Sequence, residues 1–388
     1  MSPLLRPFLL LCLLAIALPG RAAVWCVGTA QQLHDALFNA QVVADSYVII
    51  KLRTGTYIDG AGVDHFAFTQ AHSNQLVEIS GGWSGPDGSC KNASFDPALT
   101  VLAGAGNFPT LYFNTGSNFT GNTVYVHDLT VSNTGYSGQT NGACLAGFVG
   151  SDNVGVVERV LAHDCISSTA SSAAGYFSNV GGTLTVRDVV ARASLGKSNG
   201  GFGVDSYSGG TTYLNHISVT ATQSADSGAP ASGLVVQNFS NAHSYVTNSV
   251  IWGNDPDAAT ADLRVYGTGV YLTRVHYSRL SGTPDVNNSP GTGDPGFVAA
   301  GDPHLRLGVV RLNDRARAQV VVFGQDVRVF LDLEDAREEI VRRVGGIVVV
   351  VDFPAVRVRN PSRTQRVRRA VRVRICHVRS AHNVTAPE

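Results

Sequence analysis

Lysine is scarce in this chain: three stand among 388 residues (Lys51, Lys91, Lys197), and Asp, Glu, Lys and Arg together make up 15%. So few charges exclude long solvated helices laced with ion pairs, while 44% hydrophobic residues exclude extended disorder. The formal net charge is zero, which leaves no basic footprint for a nucleic acid. Long apolar runs are also missing. The longest, Phe8 to Leu18, has 11 residues against about 20 for a membrane span, so no transmembrane segment is expected in the mature chain. Neither Cys-x-x-Cys, His-Glu-x-x-His, a phosphate-binding loop nor a Ser/His/Asp signature occurs, so zinc and nucleotide chemistry lack support. What is abundant is glycine, 42 residues of it, and with few helix-favouring charges this indicates a turn-rich β protein.

Met1 to Ala23 has the parts of a secretory signal peptide. Arg6 gives the positive start, Phe8 to Leu18 the apolar run, and Pro19, Gly20, Ala22 and Ala23 the small-residue cleavage zone. A secreted, periplasmic or outer-surface location is therefore expected. Cys26, Cys90, Cys144 and Cys165 remain in the body, an even number suited to an oxidising compartment. We expect Cys26 to pair with Cys90 and Cys144 with Cys165, one of three connectivities; reduced buried thiols are the alternative.

Composition changes abruptly at Gly308. Residues 1–308 carry 13 basic and 20 acidic side chains; residues 309–388 carry 16 and 9, with 20 Val and 3 Gly. Residues 24–307 and 308–388 are accordingly separate segments. A reading-frame shift near residue 308 accounts for a poorly ordered Val/Arg-rich tail. The rival is a small basic domain with a helix over Phe330–Val344, a strand over Ile347–Val351 and Arg runs from Arg357 to Arg374 suited to acidic polymers.

The body contains a repeat. Val126-His127-Asp128-Leu129-Thr130-Val131 is echoed at Val157, Val186, Leu214, Val246 and Leu272, at offsets of 31, 29, 28, 32 and 26 residues. That period belongs to solenoids, in which no unit buries its own apolar face and neighbours must stack. Within each unit an apolar-polar alternation reaches a polar residue and then resumes one step out of phase, so the strand must bend there. Asp128, Arg159, Asp188, His216, Asn248 and Arg274 fill this bend column, a structural role for residues that otherwise suggest catalysis; Asn, Asp and His tolerate left-handed backbone.

A short strand precedes each bend: Leu111–Asn114, Cys144–Val149, Ala174–Ser178, Phe202–Ser206, Leu234–Gln237 and Leu263–Tyr266. The resulting expectation is an all-β parallel β-helix, with three strands and about 25–30 residues per coil. Upstream, Thr29-x-x-Gln32 is a capping box before Leu33, Ala36, Leu37 and Ala40 at helical spacing. A helix there would cap the open first coil and shield its strand edges. Strands are further expected at Tyr47–Leu52, Leu76–Ile79 and Thr100–Leu102.

Several segments carry a family resemblance. Leu52-Arg53-Thr54-Gly55-Thr56-Tyr57, Gly81-Gly82-Trp83, Thr100-Val101-Leu102-Ala103-Gly104 and the bend motif from Val126 to Asn133 resemble right-handed parallel β-helix proteins of the pectin-lyase-like superfamily. The nearest likeness is to secreted bacterial proteins of choice-of-anchor Q type. Asp294-Pro295-Gly296-Phe297 and Gly301-Asp302-Pro303-His304-Leu305-Arg306 look like the family's closing segment, but Gly308-Val309-Val310-Arg311 follows where a Ser-Pro and Asp-x-Gly stretch would stand. The resemblance implies the fold over residues 24–307 and is nearly silent on activity.

Carbohydrate-cleaving relatives use the first-strand face. With Leu145, Phe202 and Leu234 inward, its outward residues here include Tyr112, Asn114, Phe148, Gly175, Phe177, Asp205, Gln237, Arg264 and Tyr266. Hydrolysis needs two converging carboxylates and elimination needs a base near a uronate. The weak catalytic candidates are Asp205 and Arg264, with His163 and Asp164 approaching from a loop. Tyr112, Phe148, Phe177 and Tyr266, with Asn114 and Gln237, would instead form a ligand-binding stripe of aromatic and amide groups. Gly200-Gly201-Phe202-Gly203-Val204-Asp205 spells a calcium-binding β-roll pattern, but such sites need adjacent copies and none follows, so no cofactor is expected. The function expected is that of an adhesin-like binder of extracellular or cell-surface polysaccharide, without catalysis. The alternative is a polysaccharide lyase or glycoside hydrolase acting on an acidic glycan through the first-strand face.

Overall fold

The computed structural model describes residues 22–291 apart from 60–64, 105–108, 137–141, 226–230 and 255–260, together with strands between 319 and 377. Residues 1–21 of the expected signal segment, the Asp294–Phe297 and Gly301–Arg306 motifs and the Gly308 boundary lie outside the described residues. The chain separates into two compact units, Met1–Pro295 with Ala299–Gly301, and Gly296–Val298 with Asp302–Glu388.

The first unit is a parallel β-solenoid of about eight turns. A long sheet runs from Ala22–Val27 through Tyr47–Arg53, Leu76–Ser84, Thr123–Tyr136, Val154–Ser167, Thr183–Arg192, Thr211–Thr220, His243–Trp252 and Val270–Tyr277 to Val286–Asn288. A second sheet stacks Phe66–Thr69, Leu111–Asn114, Leu145–Val149, Gly175–Val180, Phe202–Tyr207, Ala231–Asn238, Ala261–Tyr266 and Leu280–Ser281. Within both of these stacks, neighbouring strands pair in parallel one repeat apart.

The bend column is present in every repeat. Asp128, Arg159, Asp188, His216, Asn248 and Arg274 have φ of 59°, 50°, 54°, 55°, 50° and 57°. One left-handed residue shifts the side-chain phase by a step: Gly155 and Val157 are buried before Arg159, Val160 and Ala162 after it. The long strands thus wrap around a corner while staying paired on both sides of it.

Helix Ala30–Val42 forms where the capping box lies. Thr29 Oγ1 accepts from the Gln32 N–H at 3.2 Å, and Gln32 Oε1 accepts from the Gly28 N–H at 2.8 Å, which satisfies two otherwise unpartnered donors. Leu33, Ala36, Leu37 and Ala40 are buried, and the helix packs on Phe66–Thr69 and Tyr47–Arg53. At its other end Gln75 Nε2 donates to the carbonyls of Ala40 and Val43, at 3.2 and 3.0 Å.

Both expected disulfides form, Cys26–Cys90 and Cys144–Cys165. The second closes a span of 21 residues within a single coil. Among the described residues, no helix is long and apolar enough to cross a membrane.

In the second unit Gln319–Val322 pairs antiparallel with Val327–Phe330, and Ile340–Val344, Ile347–Asp352 and Arg372–His377 form an antiparallel sheet. The helix expected over Phe330–Val344 is therefore corrected: Ile340–Val344 is a strand, as the β-branched run Ile340-Val341 and Val344 favours.

One strand of the short sheet is also corrected. Gly175 and Phe177 point inward, not outward, because Leu145 pairs with Gly175 and Gly147 with Phe177. Phe177 is 1% exposed, with ring centroids 6.4 Å from Phe113 and 6.2 Å from Phe202. Phe113 and Phe177 lie two coils apart, roughly 9.6 Å at a strand spacing near 4.8 Å. Their rings meet because Gly147 lies between them; a Cβ there would stand 2.4 Å from Phe113 Cζ. Phe177 is thus a core residue. Phe177→Ala should lower stability by about 3–5 kcal/mol, read as a fall in the urea midpoint, whereas Phe148→Ala on the outer face of the same sheet should change it little.

Candidate functional site

The outer face of the long sheet carries three columns set by the register. Ahead of each bend by three residues stand Tyr125, Val156, Thr185, Tyr213, Tyr245 and Tyr271. Two positions on come His127, Glu158, Arg187, Asn215, Thr247 and Thr273, followed by the bend residues themselves. Strand alternation turns the first two sets outward, and the left-handed bend presents the third beside them.

The first half of this face is a connected charge network. His127 Nδ1 is 2.6 Å from Asp128 Oδ2 and its Nε2 3.3 Å from Glu78 Oε1, whose other oxygen accepts from Tyr47 at 3.1 Å. Arg159 grips Asp128 with two donors, at 2.5 and 2.9 Å. It also bonds Glu158, which accepts from Tyr125 and, at 2.6 Å, from Arg187. Asp128 and Glu158 are 2% and 6% exposed, so neither charge would be tolerated without these partners.

The titration of the network follows from its contacts. The hydrogen bond from His127 holds the Glu78 carboxyl below its ordinary range against the effect of burial. Burial raises the Asp128 pKa, but the hydrogen bonds and charges of Arg159 and His127 outweigh it and leave the net value lowered. Burial likewise disfavours the imidazolium of His127, and bonding to Asp128 and Glu78 reverses this, leaving its pKa raised. Neither Glu78 nor Asp128 is a poised proton donor.

The second half is open. Tyr213, Tyr245 and Tyr271 stack, with centroids 5.3 and 4.9 Å apart and planes within 15° and 13°. The next residue down the column is Thr185, too short to cover a ring, and Tyr213 is 44% exposed. Beside the tyrosines, Thr247 Oγ1 and Asn248 Nδ2 both donate to Asn215 Oδ1, at 2.9 and 3.0 Å. A groove of about 500 Å³ follows this stretch, bounded by Thr185 and Arg187 at one end and Thr273 and Arg274 at the other.

The residues singled out from sequence are more dispersed. Asp205 is outward on the short sheet, where its Oδ2 accepts from Tyr176 at 2.5 Å and from Tyr207 at 3.3 Å. Burial raises its pKa, against the opposing effect of those hydroxyls. Arg264 lies over the Tyr266 ring at 4.2 Å. It pairs with Val235 while Asp205 pairs with Gln237, so the two are not brought together. His163 and Asp164 belong to the long sheet and bond each other at 2.7 Å.

Tyr112, which accepts from Asn114 Nδ2 at 3.2 Å, is outward with Asn114, Phe148, Gln237 and Tyr266. Ser178 and Asp205 nevertheless interrupt the column between Phe148 and Gln237, so no continuous aromatic stripe forms on that face. The stripe lies on the other sheet, and its signal stood one residue ahead of the aligned repeat. Among the described residues no three His, Cys, Asp or Glu side chains converge on a metal position.

Compared with known proteins, the chain matches no family model, no curated protein and no solved structure.

The network makes stability depend on pH from both sides. His127, with its raised pKa, contributes fully below the unfolded value near 6.5 and loses that contribution as pH climbs through the folded value. Asp128 and Glu78, with lowered values, contribute above the ordinary carboxylate range and lose it as pH falls through their folded values. Urea midpoints from about pH 3 to 9 should fall at both ends, and His127→Gln should flatten the alkaline limb and, because His127 also holds the Glu78 and Asp128 carboxyls down, shrink the acid limb as well.

Proposed function

We propose that this protein is an exported right-handed parallel β-helix, with three strands per coil and its helix closing the first coil. In this reading it is related to the pectin-lyase-like superfamily and binds extracellular or cell-surface polysaccharide, as an adhesin does, without cleaving it. The observation that carries the reading is the groove beside Tyr213, Tyr245 and Tyr271. Sugars are held by aromatic surface against their C–H faces and by amide and hydroxyl groups against their hydroxyls. Asn215, Thr247 and Asn248 supply the second kind beside the first. Export is supported by the N-terminal signal pattern and by two disulfides, which persist in oxidising compartments.

Cleavage through the short-sheet face has less support. Asp205 is one carboxyl with two tyrosine hydroxyls already upon it, whereas glycoside hydrolysis calls for a pair. The network on the long sheet has three carboxylates, all engaged by cations.

Binding to immobilised polysaccharides tests this directly. Tyr213→Ala and Tyr245→Ala should each weaken retention about tenfold, equivalent to ~1.4 kcal/mol, while circular dichroism remains that of the unchanged fold. Asp205→Asn and Arg264→Gln should bind like the parent, and no new reducing or unsaturated ends should appear. New ends abolished by Asp205→Asn would replace this reading with the enzymatic one.

A further inference from the structure

We propose that the groove selects an anionic glycan, one bearing carboxylate or sulfate groups, and that Arg274 is the residue that reads the charge. The inference rests on the polysaccharide-binding reading and adds the chemical class of the ligand. Among the described residues two guanidiniums border the groove and no carboxylate lines it. They are not equivalent. Arg187 donates to Glu158 Oε2 at 2.6 Å, so its charge is already answered. Arg274 is exposed, and no carboxylate or other partner engages it among the described residues.

The bend column shows why this matters. Arg159 meets Asp128 one coil below it, and His216 meets Asp188 at 3.2 Å. Beneath Arg274 stands Asn248, a neutral side chain whose amide already donates to Asn215. The nearest acid in the column is Asp188, three coils away, roughly 14 Å at a spacing near 4.8 Å. That exceeds a Debye length of about 8 Å at physiological ionic strength, so among the described residues no acid of its own column answers Arg274.

Its backbone adds to the case. A left-handed position at φ 57° suits Gly or Asn, and a long side chain there gains nothing from the fold unless it finds a partner, as Arg159 does. The fork of a guanidinium matches two oxygens of a carboxylate or sulfate, and such bonds are about twice as strong as neutral ones. Thr273 and Thr247, adjacent in the same groove, offer hydroxyls to the uncharged part of the same sugar.

The test is calorimetric titration of the full chain with glucan, galactan and mannan oligosaccharides, each unmodified, C6-carboxylated or sulfated. An anionic form should bind about tenfold more tightly than its neutral parent, with an affinity that falls as salt rises. Arg274→Gln should remove that difference, and Arg274→Lys should restore part of it. Tyr245→Ala should weaken charged and neutral forms alike. Preference for the carboxylated or the sulfated series identifies which anion the site fits, and either supports the proposal. Equal affinity for charged and neutral forms, with Arg274→Gln silent, overturns it while polysaccharide binding stands. Failure of every glycan to bind overturns both.

Discussion

The solenoid is arranged by its inter-coil ladder. Parallel pairing places each residue over its counterpart at about 4.8 Å, so a side chain is chosen less by its sequence neighbours than by what lies one repeat above and below. In the core, Phe113 and Phe177 stand two coils apart, and Gly147 between them leaves the space in which their rings meet. On the outer face the same spacing suits flat rings in register, so Tyr213, Tyr245 and Tyr271 stack almost parallel. For charges it favours alternation, as when Arg159 answers Asp128.

Much of this was legible in the sequence because the ladder imposes a period. The strands, the helix start at Thr29 and the left-handed bends were visible as spacing or phase, whereas the disulfide pairing was one choice among three. The inward set at Gly175–Val180 was not. Hydrophobic patterning takes large apolar side chains as its signal, and Gly175 occupies an inward slot with no side chain at all, so the phase slips by one and Phe177 falls on the wrong face. The Phe202 ring fills the space that Gly175 vacates, a fact about the next repeat that no single strand carries.

The tyrosine stack on the long sheet was missed for a related reason. Tyr213, Tyr245 and Tyr271 precede the aligned apolar residues Leu214, Val246 and Leu272 by one position. Reading down that column, rather than along each repeat, would have exposed them. The polar bend column was seen, and its bending role is sound, but bending does not exhaust it. The same left-handed position that turns the strand also presents Asp128, Arg159 and Arg274 beside the outer columns, so geometry and surface chemistry share one residue per coil. The face consequently divides into a half whose charges are mutually satisfied and a half built of hydroxyl, amide and ring groups with Arg274 at its end.

The tyrosine stack grows by one ring per coil, and its length is therefore counted in whole repeats. Point substitution can weaken a rung, or add one where a coil already stands, as at Thr185, but it cannot carry the stack past the coils that are present. Duplication of a coil such as residues 211–242, inserted in frame, would carry its own bend residue, its own tyrosine and its own core side chains. The interior would accept it because each coil already presents the surface its neighbour needs. The length of the groove is thus set by the number of coils and changes in discrete steps.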